Sequence, residues 1–280
     1  MNRRAIGIYR EPEFSPGKVE ADAAILDGVM AELASHGIET ATLDAHLFAA
    51  GTTPVDAEII LAMCQGERAL RRLAELEGGG AVAVNSALAI RNCYRDLLGD
   101  GLLRAGVPVP DGALMATAAP LDVRRLGALD LEAGVYVKRG DLHALGADDV
   151  QHAMGRARVT DIVDGFGRRG IGAVYVQQAK HGHTVKFYGV SGAEYFNVIA
   201  REGEVSEEVA HALSDAASTA AVALGLDAWG GDAVVDGDSF AIIDFNDWPS
   251  FSRVRTEAAR AIARRAMKLL SRARPAPAHP

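Results

Sequence analysis

The sequence predicts an α/β and α+β protein built as three lobes. Two observations carry this. Over residues 1–86, short apolar runs alternate with amphipathic helical patterns, and strands that alternate with helices form a mostly parallel sheet covered on both faces. Beyond residue 87 the runs become short, β-branched and separated by polar turns, which suits antiparallel strands. The expected order is a parallel α/β lobe over 1–86, a linker helix with a small α+β lobe over 87–180, an antiparallel α+β lobe over 181–272 and a disordered Pro/Ala-rich tail over 273–280.

The elements follow in order. AIGIYR (5–10) is apolar and bounded by EPEFSPGK, with two prolines and a glycine, so it reads as a strand and then a loop. Apolar residues recur at Ala24, Ile25, Met30 and Leu33 with Gly37 just beyond, a helix with a glycine stop. IETATLD (38–44), AEIILAMC (57–64) and AVAVNS (81–86) read as strands. GERALRRLAELEGGG supplies a helix stopped by Gly78-Gly79-Gly80. ALAIRNCYRDLLGDGLLRAG (87–106) is helical, and the prolines of VPVPDG make the next stretch extended. ALMATAA, GVYVKRG and GAVYVQQA read as short strands, with helices expected around 147–157 and 160–169. VKFYGV and EYFNVIA suggest an antiparallel pair, and 205–224 a helix. DAVVDGDSFAIIDFN reads as a hairpin turning at Asp236-Gly237, and 253–273 as a basic amphipathic helix.

Composition narrows the function. Of 280 residues, 49% are hydrophobic and 24% charged, enough for a core without disulfides or structural metal. Cys64 and Cys93 stand far apart, make no framework and have no zinc spacing. They read as buried apolar residues in a reducing cytoplasm. Net charge is −8 and no Lys/Arg stripe is interleaved with aromatics, which argues against a nucleic-acid partner. No apolar run reaches membrane-spanning length, and the N-terminal apolar stretch is too short for a secretory signal, so a cytoplasmic protein is expected.

The chemistry concentrates near the C-terminus, in DSFAIIDFNDWPSF (238–251). Strict alternation places Phe240, Ile242, Asp244 and Asn246 on one face, apolar for two positions and then oxygen-rich. Across the turn, Asp232 falls opposite residues 242–244. Three oxygen ligands, Asp232, Asp244 and Asn246, are expected at one end of the hairpin. Mg²⁺ takes oxygen ligands, uses few protein carboxylates and completes its octahedron with substrate phosphates. Asp and Asn also favour turns, so the pattern alone leaves a plain strand end open.

Taken with LGLDAWGGD before it, the hairpin resembles the metal-binding end of the ATP-grasp superfamily. There an Asp is followed by Glu or Asp on the next strand, Asn two residues on, then Pro and a small residue. Asp232, Asp244, Asn246 and Pro249-Ser250 match. VNSALAIRNCYRDLLGDGLLRAGVPVPDG resembles the family's linker helix. VYVKRGD resembles its first nucleotide-binding strand, with Lys138. VYVQQAKHGHTVKFYGV resembles the hinge strand with Gln177, followed by the phosphate-facing strand with Lys186. The resemblance spans residues 80–272 by motif and the N-terminal lobe by topology.

The resemblance implies an ATP-grasp architecture with a nucleotide-binding middle lobe and a metal- and ATP-binding last lobe. ATP and Mg²⁺, or Mn²⁺, are the implied cofactors. Lys138, Lys186 and Arg95 would face phosphates, and backbone near Gln178, Ala179 and Lys180 would meet adenine. The loop KRGDLHALGADDV departs from the family in lacking a glycine-rich nest. Its His143 is a candidate contact to phosphate or an anionic substrate. Arg201 is the only candidate for the arginine that supports the transferred phosphate in peptide ligases, and joins Lys186 in the expected catalytic set. RGDLHA and QQAKHGHTVKFYGV also resemble the inositol-phosphate kinase branch.

For the substrate, EPEFSPGKVEAD follows the first strand, where α/β lobes bind ligands. Ser15, Gly17 and Lys18 could hold a carboxylate or phosphate there. Trp248 and Ser250 are candidate walls of the acceptor pocket. The expected activity is ATP-dependent ligation of a small-molecule carboxylate to an amine through an acyl-phosphate, giving ADP and phosphate. The alternatives are a kinase acting on a hydroxyl and a non-catalytic nucleotide-binding protein. The resemblance also admits a homodimer.

Overall fold

Among the described residues, 3–192, 195–200 and 202–272 of this computed structural model, three four-stranded sheets organise the chain. Arg201 and the expected tail lie outside the described residues.

The first sheet is parallel. It joins β1 (Arg4–Ile8), β2 (Glu39–Leu43), β3 (Ile59–Ala62) and β4 (Val82–Val84) in the order β2-β1-β3-β4. All four residues of β3 are buried, as a strand covered on both faces requires. Ile59 and Leu61 meet Ile25, Leu26, Val29 and Leu33 of α1 (Val19–Ser35). Ile60 and Ala62 meet Phe48 of α2 (Ala45–Ala50) and Leu70 and Leu73 of α3 (Glu67–Gly78).

The helix expected over 87–106 is two helices, α4 (Ala87–Asn92) and α5 (Arg95–Arg104). The break falls at Tyr94, which is extended (φ −67°, ψ 139°). Its ring enters the core of the first lobe and its hydroxyl donates to the Gln65 carbonyl. Tertiary anchoring here outweighs a locally helical pattern.

The middle sheet is antiparallel, in the order β5-β8-β6-β7. Its elements in chain order are β5 (Gly112–Ala116), α6 (Val123–Leu126), β6 (Val135–Arg139), β7 (Val150–Ala153), α7 (Arg156–Arg168) and β8 (Ala173–Gln178). The helix expected around 147–157 is replaced by one 3₁₀ turn, Ala147–Asp149, and strand β7. Asp149 is buried and held by Arg139 (3.1 Å), Arg169 and the Leu145 N–H (2.8 Å), which pins the chain at the strand's entry. Gly155, with φ of 77°, delays the helix to Arg156.

The last sheet is antiparallel, in the order β10-β9-β11-β12. It comprises β9 (His183–Val190), β10 (Tyr195–Ala200), β11 (Ala228–Asp236) and β12 (Ser239–Asp247), and packs on α8 (Glu207–Leu224). β9 and β10 form the expected antiparallel pair. Ser206 caps α8 through the Val209 N–H. The hairpin forms, but Asp236 pairs with Ser239, so the two loop residues are Gly237 and Asp238. Of these only Gly237 has positive φ (57°), the glycine-first pattern of a type II′ turn. Gly231 admits close packing beneath the strand: a side chain there would lie 2.4 Å from the Phe187 ring.

The chain ends by returning to its start. α9 (Arg255–Arg272) places Ala258, Ala259, Ile262 and Ala266 in one core with Val29, Met30 and Leu33 of α1. Cys64 and Cys93 are both free and fully buried. No described helix is long and apolar enough to cross a membrane.

Asn85 joins the first and last lobes. Its side chain, fully buried, donates to the Ala228 carbonyl (2.8 Å) and accepts from the N–H groups of Asp227 (2.7 Å) and Ala228 (2.9 Å). Removing it leaves buried backbone groups unpaired, and each costs about 1–3 kcal/mol. Asn85→Ala is expected to lower unfolding free energy by about 3 kcal/mol, read from denaturant midpoints. A loss within the roughly 0.5 kcal/mol of ordinary surface substitutions would show that the contact does not join the lobes.

Candidate functional site

The middle and last sheets face one another across a narrow cleft. In the middle sheet Val135 and Val137 of β6, and Val174 and Val176 of β8, pack beneath α7. The alternate positions carry Lys138 and Gln177, and both line the cleft. In the last sheet Val185 and Phe187 join the core under α8. Between them Lys186 pairs with Asp232, and Asp232 with Asp244 across the next ladder.

The alternation expected along β12 is corrected here. Ile242 pairs with Ala233, and Asp244 with Asp232, so Ile243 is an extra residue. This β-bulge reverses the alternation. Phe240 and Ile242 belong with the core beneath α8, while Asp244 and Asn246 lie on the cleft face. The Ile242 N–H leaves the ladder to donate to the Pro108 carbonyl at 2.8 Å. The Ile243 carbonyl accepts from Lys138 Nζ across the cleft at 2.9 Å.

The cleft is densely charged. Arg95, at 5% exposure, donates to the Arg139 carbonyl (3.2 Å) and sits 3.6 Å from the Asp244 carboxylate. Lys186 Nζ donates to Asp232 at 2.7 Å. Asn246 Nδ2 lies 3.5 Å from Asp244. Burial alone would raise the Asp244 carboxyl, but Arg95, Lys138 and His143 together hold it below the usual carboxylate range. Burial lowers Lys138 to about 8, against a partial upward pull from Asp244. The enclosed space beside these groups is about 20 Å³, room for a single water. A larger ligand entering from this side must part the sheets and break the Lys138–Ile243 contact.

A second polar cluster lies where the three lobes meet. Arg10, just past β1, donates to the carbonyls of Met63 (3.2 Å), Asp247 (3.3 Å) and Trp248 (2.8 Å), and pairs with Asp22 (3.3 Å). Glu11 accepts from the N–H groups of Gln65 (2.9 Å) and Gly66 (3.0 Å) at the start of α3. Asp247 accepts from Gln65 Nε2 at 2.9 Å. His143 brings its Nε2 to 3.5 Å from Asp247. Sequence reasoning missed Arg10, Glu11, Gln65 and Asp247. The available signal was position: each follows the C-terminal end of a strand, or ends one, where α/β folds gather their ligands.

The remaining expected residues are dispersed. The Gln178 side chain donates to the carbonyls of Gly134 (2.8 Å) and Asp130 (3.2 Å) and accepts from the Asp130 N–H, tying down a loop. The Ala179 N–H donates to the Gly134 carbonyl, and Lys180 is exposed. Ser15 is buried and spends its hydroxyl on Asp22, while Lys18 and Gly17 are exposed. Trp248 is not a pocket wall. It is fully buried in the core shared by α1 and α9, and its indole N–H donates to the Val84 carbonyl at 2.9 Å. Ser250 is half-buried beyond it.

Asp232, Asp244 and Asn246 fit a hard divalent cation that brings its own phosphate oxygens: two carboxylates and one neutral carboxamide share the cleft face, each carboxylate already facing a cationic side chain. No cluster of three or more His, Cys, Asp or Glu suited to a metal occurs among the described residues, so no all-carboxylate or thiolate site competes.

No family model matches the chain, and no curated protein does. Solved structures do. The D-alanine–D-alanine ligase from Bacillus anthracis complexed with ATP superposes with a TM-score of 0.74 at 13% identity, over 97% of this chain and 99% of that one. A RimK domain ATP-grasp protein from Sphaerobacter thermophilus gives 0.69 at 18% identity, over 94% and 99%. The D-cycloserine synthetase DcsG gives 0.67 at 17% identity, over 94% and 99%. The chain has the three-lobed ATP-grasp fold over nearly its whole length.

The Lys138 environment carries a testable sign. Below about pH 8 the amine is charged in folded and unfolded chains alike, and the penalty for burying that charge is complete. Between about 8 and the ordinary lysine value of 10.5 the folded chain sheds the proton while the unfolded chain keeps it, so the penalty fades as pH rises. The stability difference, wild type minus Lys138→Met, is expected to rise through that window by up to about 1.4 kcal/mol per pH unit. A flat difference in thermal or denaturant unfolding would place the amine in water.

Proposed function

We propose that this ATP-grasp fold serves an ATP-dependent carboxylate–amine ligase, which activates a small-molecule carboxylate as its acyl-phosphate and passes the acyl group to an amine. One observation carries the reading. The bulge at Ile243 turns Asp244 and Asn246 toward Asp232, while Lys138, Lys186 and Arg95 converge on the same few ångströms from three other elements. Acids for a cation and cations for phosphates, at the mouth of one cleft, are what transfer from a nucleoside triphosphate needs. The names of the superposed proteins, ligases and a synthetase, support the same class.

Each side chain has a part. Asp232, Asp244 and Asn246 would hold Mg²⁺, or Mn²⁺, and such a cation neutralises charge on the phosphates and orients them. With Asp232 and Asp244 committed to a cation, Lys186 and Arg95 would be free to face phosphate oxygens. Lys138 would trade the Ile243 carbonyl for a phosphate, an anionic partner that offsets the cost of burying its charge. The apolar lining from Leu98, Leu102, Val109 and Ile242 offers surface to a nucleobase once the sheets part. Positioning in the closed cleft supplies much of the rate, because holding two reacting groups together removes the entropy cost of their encounter.

The test pairs binding with mutation. Mg²⁺ with ATP at a hundredfold excess over Kd is expected to stabilise the wild type by about 2.7 kcal/mol. Asp244→Ala should abolish most of that shift and the release of ADP. No shift in the wild type at millimolar ATP would sink the nucleotide reading. A stable phosphorylated product in place of free phosphate would make the enzyme a kinase.

A further inference from the structure

At the junction of the three lobes, two buried polar atoms have no hydrogen-bond partner among the described residues and lie on neighbouring side chains: Nε2 of His143 and Oδ2 of Asp247. An unpaired polar atom inside a protein is costly, so two of them on neighbouring side chains need an explanation. Asp247 is 1% exposed. It is fixed from one side by Gln65 and backed by Arg10, whose guanidinium is 3.8 Å from Oδ2. His143 comes from a different lobe, on the loop after β6, and its Nε2 stands 3.5 Å from Asp247 Oδ1. That distance exceeds a made hydrogen bond. A small turn of either side chain closes it.

Resting on the ligase reading above, we propose that His143, oriented by Asp247, is the base that deprotonates the incoming amine. With Nε2–H directed at the Asp247 carboxylate, the lone pair lies on Nδ1, and the carboxylate stabilises the imidazolium once it forms. The ring keeps 16% of its side-chain surface open. Its protonated form acts on the Asp244 carboxylate, which places the ring near the acids proposed to hold the cation. The charged groups facing His143 are therefore Asp247 and Asp244 from β12, with Arg10 from the first lobe behind Asp247. Arg95 stands 3.6 Å from Asp244, and Lys138 also acts on that carboxylate.

The step balances. A simple amine reaches the enzyme as an ammonium ion and has no lone pair to attack with. Nδ1 of His143 takes one proton. The freed nitrogen lone pair forms the C–N bond as the C–O bond to phosphate breaks. The leaving phosphate carries the second proton, the imidazolium returns its proton to water, and nothing is oxidised or reduced.

Two nucleophiles of equal size separate this role from a structural one. Hydroxylamine is uncharged at neutral pH and needs no base. Methylamine is protonated there and does. Each is supplied to the holoprotein with Mg²⁺, ATP and a panel of D- and L-amino acids and 2-hydroxy acids, and hydroxamate and methylamide are measured at pH 7.5. In His143→Asn the ratio of hydroxamate to methylamide is expected to rise about a hundredfold, the typical worth of a general base. The rise should vanish above the ionisation range of methylamine itself. Asp247→Asn, which keeps the shape but favours the opposite tautomer, should move the ratio the same way. An unchanged ratio in both variants overturns the proposal while the ligase reading stands, because a loop that merely holds phosphates would lower both products together. No hydroxamate from the wild type with any carboxylate offered overturns the ligase reading and the base with it.

Discussion

At Ile243 the β12 strand carries one residue more than β11 opposes, and its carbonyl accepts from Lys138 on the facing sheet. Much of the cleft depends on that extra residue. Without it, the period of two would set Asp244 on the same face as Ile242, inside an apolar core with Ala233, Val235 and Phe245. A carboxylate there would have no cation within reach and would be expelled or neutralised. With it, Ile242 stays in the core and Asp244 meets Asp232, Arg95 and the field of Lys138. The same irregularity frees a carbonyl that holds the opposing sheet. One local kink therefore sets both where the charges gather and how the cleft is closed.

Closure and chemistry are coupled through this contact. Lys138 is buried and its amine is pushed down to about 8, so the closed cleft keeps it at an electrostatic cost. A phosphate would relieve that cost by restoring a strong anionic partner. Lys186 and Arg95 are in the same position, each resting on an acid that a divalent cation would claim. The resting cleft thus keeps its charges in internal ion pairs, Lys186 with Asp232 and Arg95 with Asp244.

The lobes are not independent bodies around this cleft. α9 shares a core with α1, Asn85 spans from the end of β4 to the start of β11, and Arg10 reaches the carbonyls of Asp247 and Trp248. Trp248 takes φ of 36°, unusual for a bulky residue, and is held there by full burial and its bond to Val84. The first and last lobes share a core and buried hydrogen bonds, and the middle lobe reaches them through Lys138 and His143.

The sequence by itself determined the parallel lobe, the β9–β10 pair, the hairpin, the ATP-grasp resemblance and the convergence of Asp232 with Asp244. These rest on local periodicity, turn residues and motif order, which are written in neighbouring letters. Four things were decided only by tertiary structure. The split of the helix over 87–106 at Tyr94 and the strand in place of a helix after Asp149 follow from distant partners, Gln65 for one and Arg139 with Arg169 for the other. The bulge at Ile243 leaves no mark in a run of apolar letters, yet it moved Ile242 to the opposite face from Asp244. The cluster of Arg10, Gln65, His143 and Asp247 comes from parts of the chain up to 237 residues apart, as between Arg10 and Asp247. Pairing at that separation depends on how sheets stack and strands register, and no short window of sequence contains it.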